Sequence, residues 1–371
     1  MRKIILLLCL ALSSCGKHDE FTSAAFKNIY GGTNGDFAHT VIKSADGGYV
    51  IAGWTSSYNG DFSGNHGSID AWILKLNKNG DKEWLKVHGE AGSDLAFSVI
   101  PSSEGGYVMA GSTNSHDTTM AYRFTDTWVV KLDKNGDTIW QKKLGGSGED
   151  VANAVSAAAD GSYVMAGSTI SSDGDVSGHN GGDDVWIVKL DDNGNILWQK
   201  TFGGSQVEVA NAIASTSDGG FIVAGYTNSN DGDVSGNHGS GFNPVDAWII
   251  KLDKNGNKQW QKCLGGSGHD YGASIIASAD GGYLMAGYTL SNDGDVSGNH
   301  GAEDAWAVKL DQDGKIIWQK TKGGAGSDNA KCIISTLDGG YVITGNAGSN
   351  DGDVTGNHGG VDAWVFTLKD Q

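Results

Sequence analysis

The sequence predicts an all-β protein, a six-bladed β-propeller of four-stranded antiparallel blades, and three observations predict it. Six tryptophans recur in one context, each two residues after an aspartate: Trp72, Trp128, Trp186, Trp248, Trp306 and Trp364, spaced by 56, 58, 62, 58 and 58 residues. Glycine-centred turns cut the chain between them into short segments rich in Val, Ile, Tyr and Trp, and no helical period appears beyond the N-terminus. The sixth repeat stops after its third strand, while Ala25-Phe26-Lys27-Asn28-Ile29-Tyr30-Gly31-Gly32 aligns with the fourth strand of other repeats. The N-terminal strand is therefore expected to complete the last blade and close the ring, which removes exposed edges.

Residues 265–322 show how one blade is read. The loop Gly265-Gly266-Ser267-Gly268 leads into a first strand over 271–278, and the Asp280-Gly281-Gly282 turn into a second over 283–289. A long loop, 291–303, precedes a third strand over 304–310, and Asp311-Gln312-Asp313-Gly314 turns the chain into a fourth over 316–322. The corresponding turns elsewhere carry Asn-Gly, as at Asn79-Gly80 and Asn255-Gly256, a strong hairpin signal. First strands are rich in small residues (Ala152, Ala154, Ala210, Ala212), as crowding near a propeller axis requires, while the tryptophans suit the wider radius between blades. The glycine-rich loops before the first strands and the long loops emerge at one face. That face is the expected binding face.

The run Gly-Gly-Tyr, Ala-Gly-Tyr-Thr, Asp-Ala-Trp-x-x-Lys-Leu-Asp-x-Asn-Gly, Trp, Gly-Gly resembles the SBBP-type β-propeller repeats of bacterial secreted and surface proteins, and is distantly similar to kelch repeats. The resemblance covers Ala25 to the C-terminus. It implies an extracellular interaction role and no defined chemistry; the family is named for seven blades, where six are counted here. Fold alone does not fix function.

Arg2 and Lys3 followed by an apolar stretch read as a secretory signal over residues 1–14. Leu12-Ser13-Ser14-Cys15 resembles the lipobox of bacterial lipoproteins, which implies lipidation of Cys15 and a bilayer as partner through its acyl chains. Gly16-Lys17-His18-Asp19-Glu20 resembles the export signal of Bacteroidetes-type surface lipoproteins, so a surface-exposed place on the bacterial outer membrane is expected, with residues 15–24 as tether and 25–371 as propeller. The net charge of −18 excludes nucleic acid as a partner. With Cys9 and Cys15 assigned to the signal, Cys263 and Cys332 are expected to be free thiols too far apart to bridge, and a monomer is expected.

Several residues are candidates for a site. The long loops carry D-x-D-x-[ST]-G-x₅-D: Asp173, Asp175, Ser177 and Asp184; Asp293, Asp295, Ser297 and Asp304; Asp351, Asp353, Thr355 and Asp362. Alternating oxygens around a glycine bend approach a calcium loop, although a hydroxyl at position five and Asp at position twelve depart from it, and Asx-turns would produce the same pattern. A histidine per loop (His66, His179, His238, His300, His358) lies too far from the next for a shared ion. The acids before the first strands recur in every blade and read as strand caps. Asymmetry enters at His39, Phe97, Asn153, Asn211, Ala273 and Lys331, of which His39 and Lys331 are candidate ligand contacts, and in the aromatic residues Tyr58, Phe62, Tyr122, Phe124 and Phe242 of the deviating loops. The leading reading is a non-enzymatic module binding an extracellular glycan, protein or matrix ligand. The alternative is a surface polysaccharide hydrolase or lyase with its site at the channel mouth.

Overall fold

The Asp-x-Trp segments that punctuate the sequence become the third strands of six antiparallel sheets in the computed structural model, which describes residues 10–11, 28–114, 125–239, 245–336 and 338–370. The chain is all-β, a six-bladed β-propeller, and the helical content of the described residues is one 3-10 turn, Gly60–Phe62. It divides into two compact units, Met1–Leu144 and Gly145–Gln371.

The first unit holds blade one (Asp36–Lys43, Tyr49–Thr55, Asp70–Leu76, Lys82–His88) and blade two (Asp94–Pro101, Tyr107–Thr113, Asp126–Leu132, Thr138–Leu144). The two-residue strand Leu10–Ala11 runs parallel to Val41 and Ile42. The second unit holds blade three (Asp150–Ala157, Tyr163–Thr169, Asp184–Leu190, Ile196–Phe202), blade four (Glu208–Ser215, Phe221–Thr227, Asp246–Leu252, Lys258–Leu264) and blade five (Asp270–Ala277, Tyr283–Thr289, Asp304–Leu310, Ile316–Lys322). Blade six has three described strands, Asp328–Ser335, Gly340–Ala347 and Asp362–Lys369. Of the segment expected to supply its fourth, residues 25–27 lie outside the described residues and 28–30 form no strand. Within blade five, three strands have the expected bounds and the first begins and ends one residue early.

The third strands of blades one to five are buried on both faces, which is why they read as apolar runs, while that of blade six alternates. In the second unit, Trp248 packs with Val164, Ile187 and Phe221 between blades three and four, and Trp306 with Ile222, Ile249 and Met285 between blades four and five. Each such side chain contributes about 1.5–3 kcal/mol by leaving water. A lysine is buried in the third strand of five blades and reaches the acid of the preceding hairpin turn: Lys75 to Asp46 at 2.7 Å, Lys189 to Asp160 at 2.8 Å, Lys251 to Asp218 at 2.8 Å, Lys309 to Asp280 at 2.9 Å, Lys131 to Glu104 at 3.4 Å.

Every first strand carries a β-bulge at the same place, between Ala38 and Thr40, Ala96 and Ser98, Ala152 and Ala154, Ala210 and Ala212, Gly272 and Ser274, Ala330 and Cys332. The bulge explains the glycine in each second strand. A Cβ at Gly53, Gly111, Gly167, Gly225, Gly287 or Gly345 would stand only 1.7–1.9 Å from a first-strand carbonyl oxygen. Only glycine lets the bulged strand approach so closely.

Cys263 is free and buried, as expected, and burial pushes its thiol well above the usual range. Cys332 is disulfide-bonded, against the expectation of two free thiols. That expectation counted Cys263 as the one possible partner of Cys332, and the count was incomplete.

Candidate functional site

The bulges do more than bend the sheet: the extra residue in each is the asymmetric one, His39, Phe97, Asn153, Asn211, Ala273 or Lys331. A bulge re-aims a side chain out of the alternating register. Asn153 Nδ2 donates to the Ala210 carbonyl and Asn211 Nδ2 to the Gly272 carbonyl, both at 2.9 Å, stapling blade three to four and four to five. In the first unit His39 meets the edge of Phe97 at 5.2 Å, and burial lowers the imidazole's pKa.

Blade five breaks the series. Ala273 has no side chain to staple blade six, and Lys331 of blade six instead holds its ammonium 5.0 Å from the centroid of the Tyr288 ring. Tyr288 stacks on Tyr271, its cross-strand partner, at 4.7 Å, and Tyr271 meets the edge of Tyr226 of blade four at 5.1 Å. The result is a run of three rings ending in a cation, across three blades of the second unit. All four residues are partly exposed, and none of the three hydroxyls bonds to a described residue. Burial lowers the pKa of Lys331, opposed by the charge of Glu303, yet Lys331 makes no ion pair among the described residues. Asn329 and Asn346 occupy the same cross-strand pair of positions in blade six.

Sequence reasoning found Lys331 and missed the tyrosines. The signal was present: the residue after each first-strand acid (Phe37, Leu95, Val151, Val209, Tyr271, Asn329) and the residue after each Ala-Gly or its equivalent (Trp54, Ser112, Ser168, Tyr226, Tyr288, Asn346) vary between blades whose flanks agree. Those two positions are cross-strand partners, so blade one has its own stack, Phe37 on Trp54 at 4.1 Å.

The carboxylates of the loop-bearing end are held by the protein. Asp270 accepts bonds from Thr289 Oγ1, from Ser291 Oγ at 2.7 Å and from the Gly266 N–H at 2.8 Å; Glu208 and Asp328 are capped alike. These are the strand caps that the sequence implied. In blades one, four, five and six the third-strand aspartate accepts the N–H and faces the imidazole Nδ1 of the loop histidine, as Asp304 does with His300 at 3.0 and 2.6 Å, whereas Asp184 of blade three accepts the Asn180 N–H. In blade four the His238–Asp246 contact of 2.7 Å survives the four-residue insertion between them. Four of these histidines thus brace the aspartate of their own blade, and His238 Nε2 also lies 3.8 Å from Asp295 of blade five.

The residues of the calcium pattern are also engaged by bonds from the protein. Asp293 accepts the Ser267 N–H at 2.7 Å, Asp295 the Gly265 N–H at 3.4 Å, Ser297 Oγ the Gln319 amide at 2.6 Å, and Asp304 faces His300. Asp173 and Asp175 bond Ser147 N–H and Gly145 N–H, Ser177 the Gln199 amide, and Asp184 the Asn180 N–H. In blade six Asp351 bonds the Ala325 N–H, Asp353 pairs with Lys322 at 2.6 Å, Asp362 takes the His358 N–H and Thr355 is exposed. Among the described residues no three His, Cys, Asp or Glu side chains come together as a metal-binding group.

Of the aromatic candidates, Tyr58 is exposed and its hydroxyl donates to the Gly67 carbonyl at 2.7 Å. Phe62 is fully buried against Trp72, a correction with a plain cause. It occupies the position of Val176, Val234, Val296 and Val354, the apolar plug that seats each long loop on its blade. Tyr122, Phe124 and Phe242 lie outside the described residues. So do Cys15 and the rest of the proposed tether.

No protein-family model matches the chain. The regulatory protein FlaEY of Caulobacter vibrioides is 24% identical over 302 residues, covering 73% of this chain and 31% of that protein, so the chain spans about a third of its relative's length. Among solved structures the chain is similar to a protein of unknown function from Bacteroides caccae (12% identity, 73% of this chain and 78% of that one, TM-score 0.39). It is also similar to a putative gluconolactonase (12%, 92% of each, 0.40) and to BamB from Moraxella catarrhalis (13%, 81% and 78%, 0.38). At such identities and scores these likenesses bear on no activity.

Proposed function

We propose that the chain is a non-enzymatic binding module, a propeller anchored in the bacterial outer membrane through acylated Cys15, which recognises a glycan at its loop-bearing end. One observation carries this reading. The carboxylates that approach one another, such as Asp246 and Asp270 beside Gly265, are fully buried and recur from blade to blade, whereas the part-exposed, blade-specific groups around the tyrosines are ring faces, hydroxyls, one ammonium and the carboxylates of Asp183 and Glu303, which sit two blades apart. A glycosidase needs two carboxyls that its substrate can reach. Ring faces with a few polar groups are what ligand recognition uses.

The test is the full chain in mild detergent against a panel of bacterial, plant and animal polysaccharides. Affinity electrophoresis reads retention, and reducing-end and unsaturated-product assays read turnover. Retention by at least one polymer without product is the expected result. Product release from any polymer, or no retention by any, overturns the reading. Cys15→Ser is expected to move the chain from the membrane to the soluble fraction; an unchanged membrane fraction overturns the anchor.

A further inference from the structure

We propose that the run of Tyr226, Tyr271, Tyr288 and Lys331 binds an acidic sugar, a pyranose unit bearing a carboxylate, within a longer glycan. This deepens the binding-module reading and rests on it.

Five buried lysines of the propeller each have an acid within ion-pair distance, and Lys331 has none among the described residues. Its ammonium is half-withdrawn from water and lies over an electron-rich ring, an arrangement that holds a cation in place without neutralising it. An anion arriving there meets a donor already partly desolvated and fixed in position, which lowers the ordering cost of the new bond.

The tyrosines define what else the ligand must be. Ring faces carry negative potential and attract the polarised C–H groups on the flat side of a pyranose, so a sugar ring suits the stack as a planar anion such as free carbonate does not. Three hydroxyls without described protein partners, with the Asn329 and Asn346 amides nearby in blade six, supply donors and acceptors for sugar hydroxyls. The surrounding charge narrows the choice again. A chain with a net charge of −18 repels polyanions at long range, so recognition must be local: one carboxylate on one cation.

Titration calorimetry of the full chain in mild detergent with tri-galacturonate and with neutral galactotriose tests the proposal. Tri-galacturonate is expected to bind at least tenfold more tightly than the neutral trimer. Lys331→Met is expected to weaken tri-galacturonate at least tenfold and leave the neutral trimer within twofold; Tyr288→Leu is expected to weaken both. Thermal melting of each variant, with Lys331→Gln as a second substitution, separates lost binding from lost folding. Equal binding of the two trimers, an unaffected Lys331→Met variant, or no binding of tri-galacturonate by a protein that is retained by a neutral polymer overturns the acidic-sugar assignment and leaves the binding-module reading standing. Failure of the whole polysaccharide panel removes both.

Discussion

Trp72 has a buried indole N–H with no partner, while Trp128, Trp186, Trp248 and Trp306 donate theirs to Gln141, Gln199, Gln261 and Gln319 at 2.7–3.1 Å. The difference is one residue: blade one has Leu85 where the others have glutamine. In blades three, four and five that glutamine passes the chain of bonds on to Ser177, Ser235 or Ser297 of the long loop, and blade one retains the serine, Ser63. An orphaned buried donor costs about 1–3 kcal/mol. Leu85→Gln is therefore expected to raise the stability of the protein by about 1 kcal/mol in denaturant titration, once lost packing beside Trp72 is set against the gained bonds. A fall in stability would mean that the packing of Leu85 outweighs the orphan. The substitution was visible in the sequence, but its consequence was not, because indole and amide meet across two strands and only their register brings them together.

At the scale of the element, the bulge was the part that the sequence concealed. The asymmetric positions were legible as a column of dissimilar residues, yet a column says nothing about direction, and a bulge changes direction. Its trace lay in the glycine of Ala-Gly-Tyr-Thr, a glycine inside a strand whose reason is a contact: a Cβ at Gly287 would stand 1.8 Å from the Tyr271 carbonyl oxygen. Gly287→Ala must push the two strands apart beneath both stacked tyrosines. It is expected to cost about 3 kcal/mol or more, the range of large overpacking and backbone effects, and to abolish glycan retention. A variant that melts like the parent would remove the bulge from the account of the site. The long loops teach the converse. Their acid spacing was read correctly, but spacing does not reveal which oxygens already accept protein N–H groups. Asp293→Ala should lower the melting temperature slightly through the lost bond to the Ser267 N–H, and by the same amount in calcium and in chelator. A loss confined to calcium buffer would support the metal reading.

For the molecule as a whole, repetition turns a local conflict of charge into a pH dependence. In each unit third-strand aspartates (Asp70, Asp184, Asp246, Asp304) lie fully or almost fully buried, with one oxygen unpaired and an acid of the next blade beside it. Burial, and then the neighbouring carboxylate, raises their pKa, Asp184 to about 6 with Glu208 adding to the effect. A raised carboxyl binds its proton more tightly folded than unfolded, where the pKa is about 3.9. Stability should therefore rise as the pH falls from 8 through about 6 toward 4, with each aspartate gaining a proton before its unfolded counterpart does. Below pH 4 the opposite groups take over. The Lys189 ammonium, with Ser162, holds Asp160 at about 2, and Asp218 and Asp280 reach about 2 although burial resists it. These groups contribute stability above the unfolded pKa and lose it as pH falls toward 2; half-exposed as they are, each counts for little alone. The melting temperature should thus peak near pH 4–5, several degrees above its value at pH 8. Asp184→Asn keeps an acceptor for the Asn180 N–H and gains an amide beside Glu208, so it should stabilise the protein at pH 8 and flatten the rise between pH 8 and 5. A peak at pH 7 or above, or a rise of undiminished size in Asp184→Asn, would place the aspartates outside the cause.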